Sequence, residues 1–261
     1  MRIALGVEYN GSQFYGWQRQ SNADSIQQRL EEAISKVANT QIIITVAGRT
    51  DTGVHATEQI IHFDCDNQRE LKAWVMGVNT NLPDSISVLW AKHVDDDFHA
   101  RYGALSRQYR YVIINRATRS ALLDQLVTWE FMELDLRKMQ YAAKHLLGTH
   151  DFTSYRTVAC QAKSPIRTVH EITLRRYNEF ILMDINANAF LHHMVRNIMG
   201  VLMAIGKGEQ AEDWSLEVLQ KCDRTLGGKT APAAGLYLVK VQYDEKYGLD
   251  AAIRWPAIAG A

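Results

Sequence analysis

Cysteines and long apolar runs are scarce in this sequence of 261 residues, and each scarcity excludes a class of protein. The three cysteines, Cys65, Cys160 and Cys222, are too widely spaced for a metal-ligand pattern or a disulfide framework, which favours a reducing cytosol. No apolar run approaches the ~20 residues of a membrane-spanning helix, and no signal-like segment forms before Glu8. We therefore expect a cytoplasmic protein with no membrane contact.

An excess of charge of either sign is also missing, because 29 basic residues balance 29 acidic ones. Net charge therefore gives no argument for a nucleic-acid partner. The basic residues are nevertheless segregated into two stretches, which can form a phosphate-binding face or can simply protect sheet edges. They are Arg101, Arg107, Arg110, Arg116 and Arg119 in the first stretch, and Arg156, Lys163, Arg167, Arg175 and Arg176 in the second.

Hydrophobic periodicity predicts the order strand, helix, strand, strand, helix, strand twice along the chain. That order is ferredoxin-like and is shared by many RNA-binding domains. We therefore predict an α+β protein with two ferredoxin-like (RRM-like) subdomains, at 1–100 and 101–245, followed by a C-terminal tail at 246–261. Their largely antiparallel sheets are expected to face a central catalytic cleft.

The predicted elements of the two subdomains differ mainly in length. The first subdomain has strands at 2–9, 41–46, 59–63 and 86–94, and helices at 21–39 and 71–78. The second has strands at 107–114, 168–177, 180–187 and 236–243, and helices at 135–147 and 190–205. An additional helix is predicted at about 213–222.

The loop at residues 47–56 lies between two predicted strands and holds two glycines and one carboxylate. Gly48 and Gly53 permit backbone angles closed to other residues, so the loop can turn sharply and let a ligand approach its main chain. Asp51 lies between the glycines, and Arg49 precedes it by two residues. An aspartate in such a turn most often bonds its own backbone, so the pattern alone leaves a structural and a catalytic role open.

Aromatic residues stand out at two further places. The segment 14–20 interleaves three aromatic residues with amides and an arginine, and such rings either close a core or contact a ligand. On the predicted strand 107–114, Arg107, Tyr109 and Tyr111 share one face. This face fits either a half-buried aromatic pair or a surface that binds substrate.

One arginine, Arg196, lies within the apolar predicted helix 190–205. A charge is costly there unless it is paired, although a long arginine stem can also carry the guanidinium to the surface. His192 and His193 precede it. Adjacent helical residues point in different directions and no third ligand is evident, so we predict no metal site.

The segment 48–56, from Gly48 to Ala56, resembles the catalytic loop of the tRNA pseudouridine synthase A family. Asn10 stands where that family more often has Asp, which affects a turn rather than the chemistry. The likeness extends from residue 3 to about 243. Its other matching segments are 9–20, 98–101, 148–152, 190–200 and 234–237.

The resemblance implies a homodimeric enzyme that isomerises uridine to pseudouridine in the anticodon stem-loop of tRNA, at positions 38–40. It implies that Asp51 is the nucleophile and that Arg196 forms an ion pair with it. It also implies that Tyr109 packs against the target base and helps to remove the C5 proton, and that Arg49 helps to turn the nucleotide out. Further substrate contacts are expected from Arg107, Arg110 and His55.

The implied reaction breaks the N-glycosidic bond, rotates the uracil and rejoins it through C5, so we expect no cofactor and no metal. Aspartate suits this chemistry because its ordinary pKa of about 3.9 leaves it ionised at neutral pH. The segment 227–230 resembles the end of a phosphate-binding loop, but Asp223 occupies the position of its first glycine. Two other functions remain open, a non-catalytic RNA-binding protein and an aspartate-dependent nucleoside hydrolase.

Overall fold

The computed structural model describes residues 1–250 and 252–258. It is an α+β structure with mostly antiparallel strand pairs, which confirms the predicted fold class. The chain divides into two compact units. Unit 1 comprises Met1–Leu105 and Tyr237–Pro256, and unit 2 contains Ser106–Leu236.

The sheet of unit 1 has the strand order β4-β1-β3-β10, and β2 also pairs with β3. β1 lies between two antiparallel neighbours, which explains why six of its eight residues are buried. The elements are β1 (Arg2–Tyr9), α1 (Ile26–Ala38), β2 (Thr45–Val46), β3 (His55–Asp64), α2 (Leu71–Thr80), β4 (Ile86–Val94) and β10 (Leu236–Gln242).

The helix α1 begins at Ile26, later than the predicted start at residue 21, and Ser25 caps it. The Ser25 side chain accepts a hydrogen bond from the Gln28 backbone N–H, so one of the unpaired donors of the first turn is satisfied. The strand predicted over 41–46 is reduced to the two residues of β2, because the backbone N–H groups before it bond to α1. Those of Ile42 and Ile44 donate to the side chains of Ser35 and Glu31.

Unit 2 contains the strand order β5-β9-β8-β7, with each neighbouring pair antiparallel, while β6 pairs in parallel with β5. Both β6 and β7 were missed by the sequence prediction, because three or four residues are too few to show a period. The elements are β5 (Ser106–Asn115), β6 (Thr128–Glu130), α3 (Leu136–Lys144), β7 (Gly148–Asp151), β8 (Ile166–Tyr177), β9 (Phe180–Ala187), α4 (Met194–Gly206) and α5 (Trp214–Lys221).

Several boundaries differ from the prediction, among them the start of α4 and the division into units. α4 begins at Met194 rather than at Phe190, because His193 has a left-handed backbone with φ of 63°. The segment Tyr237–Pro256 groups with unit 1, whereas we predicted one subdomain over 101–245 and a separate tail. Residues 251 and 259–261 of that tail lie outside the described residues. Within the described part of the chain, no helix is both long and apolar enough to cross a membrane.

Candidate active site

The Asp51 loop, residues 47–54, leaves the sheet of unit 1 after β2 and returns at the first residue of β3. Val46 pairs with Ile61, and His55 pairs with Tyr237 of β10. β10 therefore pairs with the first residues of β3, next to the loop. β2 pairs with β3 further along that strand. The Val54 N–H donates to the Asp51 carbonyl at 3.1 Å, which closes a tight turn.

Exposure alternates along the loop. Arg49 is exposed, Thr50 is buried and Asp51 is partly exposed. Gly53, with φ of 79°, supplies the left-handed conformation that the turn requires. The two groups with predicted chemical roles thus reach solvent, while the residue between them anchors the loop.

The aromatic segment 14–20 packs directly behind this loop. The Trp17 N–H donates to the Thr50 carbonyl at 3.0 Å. Gly16, with φ of 88°, approaches so closely that a Cβ there would lie 3.1 Å from the Thr50 carbonyl oxygen and from the Thr52 nitrogen. The sequence left two roles open for these rings, closing a core or contacting a ligand. Phe14 and Trp17 belong to the core, whereas Tyr15 is 62% exposed.

His55 is a buried residue of unit 1, and its contact with the substrate stays a prediction. Its ring is only 1% exposed, and Nδ1 accepts the Gly11 N–H at 3.1 Å. The ring also stacks on Tyr237, with centroids 4.7 Å apart and an interplanar angle of 22°. An imidazole placed in this way holds the Gly11 turn.

In unit 2, the shared face of β5 holds two tyrosines in different environments. Tyr109 is 8% exposed and meets Phe190 edge to face at 5.1 Å. Tyr111 is fully buried, and its hydroxyl donates to the Pro232 carbonyl at 2.7 Å. Burial raises the pKa of Tyr111, so this phenol stays protonated and acts structurally. Arg107 donates to the Asn188 carbonyl at 3.0 Å.

Arg110 is also buried, and its contact with the substrate likewise stays a prediction. Its side chain is 1% exposed and makes two hydrogen bonds to Asp184, at 2.7 and 2.8 Å. The carboxylate of Asp184 therefore balances the charge of this buried guanidinium. Two further members of the basic stretches lie beside carboxylates, since Arg116 pairs with Glu179 at 3.0 Å and Arg175 lies 3.7 Å from Asp184.

Arg196 lies in the first turn of α4 and is partly exposed. Its Nε donates to the Ala231 carbonyl at 2.9 Å, and the Ala231 N–H donates back to the Arg196 carbonyl at 3.1 Å. A backbone carbonyl therefore helps to orient the guanidinium. A backbone acceptor of this kind leaves no signal in the sequence.

The segment that holds Arg196, residues 227–232, includes residues 227–230, which resemble the end of a phosphate-binding loop. It lies against α4, where a Cβ at Gly200 would be 1.8 Å from the Lys229 carbonyl oxygen. The Thr230 hydroxyl donates to Asn197 Oδ1 at 2.7 Å. The segment 227–232, called the strap below, thus packs on α4. Its Ala231 carbonyl accepts a hydrogen bond from Arg196.

The sequence model of the family described as tRNA pseudouridine synthase matches residues 6–103 and 142–244 of this chain. Similar proteins named tRNA pseudouridine synthase A occur in Legionella pneumophila strain Corby, at 54% identity over 95% of both chains, and in Photobacterium profundum, at 52% over 95% of both. One in Enterobacter sp. strain 638 is 53% identical over 95% of this chain and 92% of its own. A chain in a crystallised Cbf5-Nop10-Gar1 complex is 9% identical, with a TM-score of 0.37 over 90% of this chain and 57% of that one.

Proposed function

Because this chain belongs to the tRNA pseudouridine synthase family, we propose that it isomerises uridine to pseudouridine in the anticodon stem-loop of tRNA, at positions 38–40. The observation that carries the proposal is the match to relatives named tRNA pseudouridine synthase A over 95% of the chain. The segment 48–56 lies within that match. We further propose that the enzyme acts in the cytoplasm as a homodimer.

In the proposed reaction, Asp51 is the nucleophile. The C1′–N1 bond of the uridine breaks, the uracil rotates, a C1′–C5 bond forms, and the proton of C5 is lost while N1 gains one. The bond that Asp51 forms with the nucleotide breaks again before the product leaves, which regenerates the carboxylate. The partial exposure of Asp51 beside a sharp turn supports this role. A carboxylate needs no activating base at neutral pH.

The remaining residues have proposed roles in binding the substrate and in stabilising charge. Arg196 stabilises the charge of the Asp51 carboxylate, and the fixed orientation of its Nε supports that role. Tyr109 packs against the base, Arg49 helps to turn the nucleotide out, and Arg107 contacts the RNA. Extruding a base costs a few kcal/mol, and stacking on one ring returns about 1–3 kcal/mol, so one aromatic contact and one inserted side chain are enough to hold the extruded nucleotide.

Nucleoside analysis of an undermodified tRNA, before and after incubation with the protein, tests the function. We expect pseudouridine to appear in the amount in which uridine is lost, with no free uracil. A tRNA that carries cytidine at positions 38–40 is the matched control and should remain unchanged. Free uracil would instead identify a nucleoside hydrolase. Binding that depends on salt without any change in nucleosides would identify a non-catalytic RNA-binding protein.

A further inference from the structure

Three buried polar side chains form a hydrogen-bonded group directly behind the Asp51 loop. Tyr9, Thr50 and Gln59 are 2%, 7% and 0% exposed. The Tyr9 hydroxyl lies 2.8 Å from Thr50 Oγ1. Gln59 Nε2 donates to the Tyr9 hydroxyl at 3.3 Å and to the Gly48 carbonyl at 2.7 Å.

This group occupies a place where apolar side chains would be expected. β3 is buried at nine of its ten residues, and Gln59 pairs there with Val7 of β1. A buried polar group is costly unless its hydrogen bonds are satisfied. Gln59 Oε1 has no hydrogen-bond partner among the described residues, so the arrangement is not the one that would maximise stability. A role in function explains its presence better.

We propose that Tyr9, Thr50 and Gln59 are positioning residues that fix the Asp51 loop for attack on the nucleotide. Gln59 holds the Gly48 carbonyl, three residues before Asp51, and Tyr9 holds the side chain of Thr50, immediately before it. The proposal rests on the proposed function, because the positioning matters only if Asp51 reacts. A displacement of about 1 Å of a reacting group can lower a rate about 100-fold.

The direction of the hydrogen bonds is consistent with this role. Burial raises the pKa of Tyr9, so its phenol remains protonated throughout the neutral range. The Tyr9 oxygen accepts from Gln59, and its proton is available to Thr50 Oγ1. The Trp17 N–H also donates a hydrogen bond to the Thr50 carbonyl. Thr50 is therefore held through both its side chain and its backbone.

The substitution Tyr9→Phe removes the central hydroxyl and keeps the ring. We expect kcat for pseudouridine formation to fall by about 10- to 100-fold, while KM and the Kd for tRNA stay within about twofold. Tyr243→Phe is the matched control. Tyr243 is also buried in unit 1, at 4% exposure, and its hydroxyl donates to the Ala100 carbonyl at 2.7 Å. This control should retain the wild-type kcat.

Substitutions at Thr50 test the same network from its other end. Thr50→Val removes the hydroxyl with little change of shape and should lower kcat about as far as Tyr9→Phe does. Thr50→Ser keeps the hydroxyl and should restore most of the activity. Because the two residues act through one hydrogen bond, the Tyr9→Phe/Thr50→Val double variant should be little worse than either single variant.

Hydrogen exchange of residues 47–54 provides a measurement that does not depend on activity. The amides of Ala47 and Val54 are hydrogen-bonded at the two ends of the loop, and we expect them to exchange faster in Tyr9→Phe but not in Tyr243→Phe. Unchanged exchange in Tyr9→Phe, or a wild-type kcat in that variant, would overturn the proposal. If the wild-type protein forms no pseudouridine, the proposed function fails, whereas the exchange result still decides whether the network fixes the loop.

Discussion

The environment of each arginine on β5 depends on the face of the strand on which the residue lies. Arg107 and Tyr109 are two residues apart and share a face, whereas Arg110 lies on the opposite one. Alternation along a strand could therefore have separated Arg110 from the others, although the sequence does not show that both faces of β5 are covered. Asp184, the buried residue that accepts hydrogen bonds from Arg110, is 74 residues away, and no local pattern connects the two.

The pair between Arg110 and Asp184 yields a stability prediction. Asp184→Ala leaves a guanidinium buried without its carboxylate, which should cost about 3–5 kcal/mol of unfolding free energy. Glu179→Ala is the control, because it removes the more exposed pair with Arg116 and should cost at most about 1 kcal/mol. Urea denaturation of both variants measures the difference. Equal losses would show that Arg110 does not depend on Asp184.

His55 and Asp51 lie in one motif, yet only one of them reaches solvent. The resemblance placed both in the site, and the residue types agree with that. The structure shows that the imidazole accepts a backbone N–H and stacks on Tyr237. Tyr237 lies 182 residues further along the chain, so this packing could not be predicted from residues near the motif.

At the scale of elements, apolar periodicity predicted the presence of a helix more reliably than the residue at which the helix begins. The segment 190–193 continues the apolar pattern of α4, but the helix starts only after the left-handed His193. The strap at 227–232 carries few apolar residues and was recognised only as a false phosphate-binding motif. Its role depends on contacts with a helix about 30 residues earlier, which the sequence does not reveal.

The strap yields a prediction at Gly200. Gly200→Ala places a methyl group 1.8 Å from the Lys229 carbonyl oxygen, so the backbone of the strap must move. We expect a loss of about 1–3 kcal/mol of unfolding free energy, together with lower activity, because the same strap holds Arg196. Thermal unfolding and pseudouridine formation measure the two effects.

A second helical glycine provides the control for that substitution. A Cβ at Gly77 in α2 meets the movable methyl group of Val37 at 3.1 Å, and alanine improves helix propensity by about 1 kcal/mol. Gly77→Ala should therefore leave stability close to that of the wild type, or slightly above it. A Gly200→Ala variant as stable as Gly77→Ala would show that the strap does not rest tightly on α4.

At the scale of the whole molecule, the order of the elements could be predicted from the sequence. The grouping of the elements into units was harder to predict. The α+β class and the mostly antiparallel pairing followed from the alternation of strand and helix patterns. The grouping of Tyr237–Pro256 with unit 1 did not, because chain order does not state which sheet edge a last strand joins. Overall charge was equally uninformative, since basic and acidic residues balance.

The proposed reaction as a whole depends on the carboxylate of Asp51. Asp51→Asn keeps the shape of the side chain and removes its charge and its nucleophilicity. Asp66→Asn makes the same chemical change at an exposed residue of the same unit and outside the loop. A difference between the two variants therefore reports on the position of the carboxylate and not on the loss of a negative charge.

The most direct measurement is tritium release from undermodified tRNA whose uridines are labelled at C5. We expect the wild type and Asp66→Asn to release tritium at equal rates, and Asp51→Asn to release none above background while it binds the tRNA with unchanged affinity. Release by Asp51→Asn at the wild-type rate would contradict the assignment of Asp51 as the nucleophile.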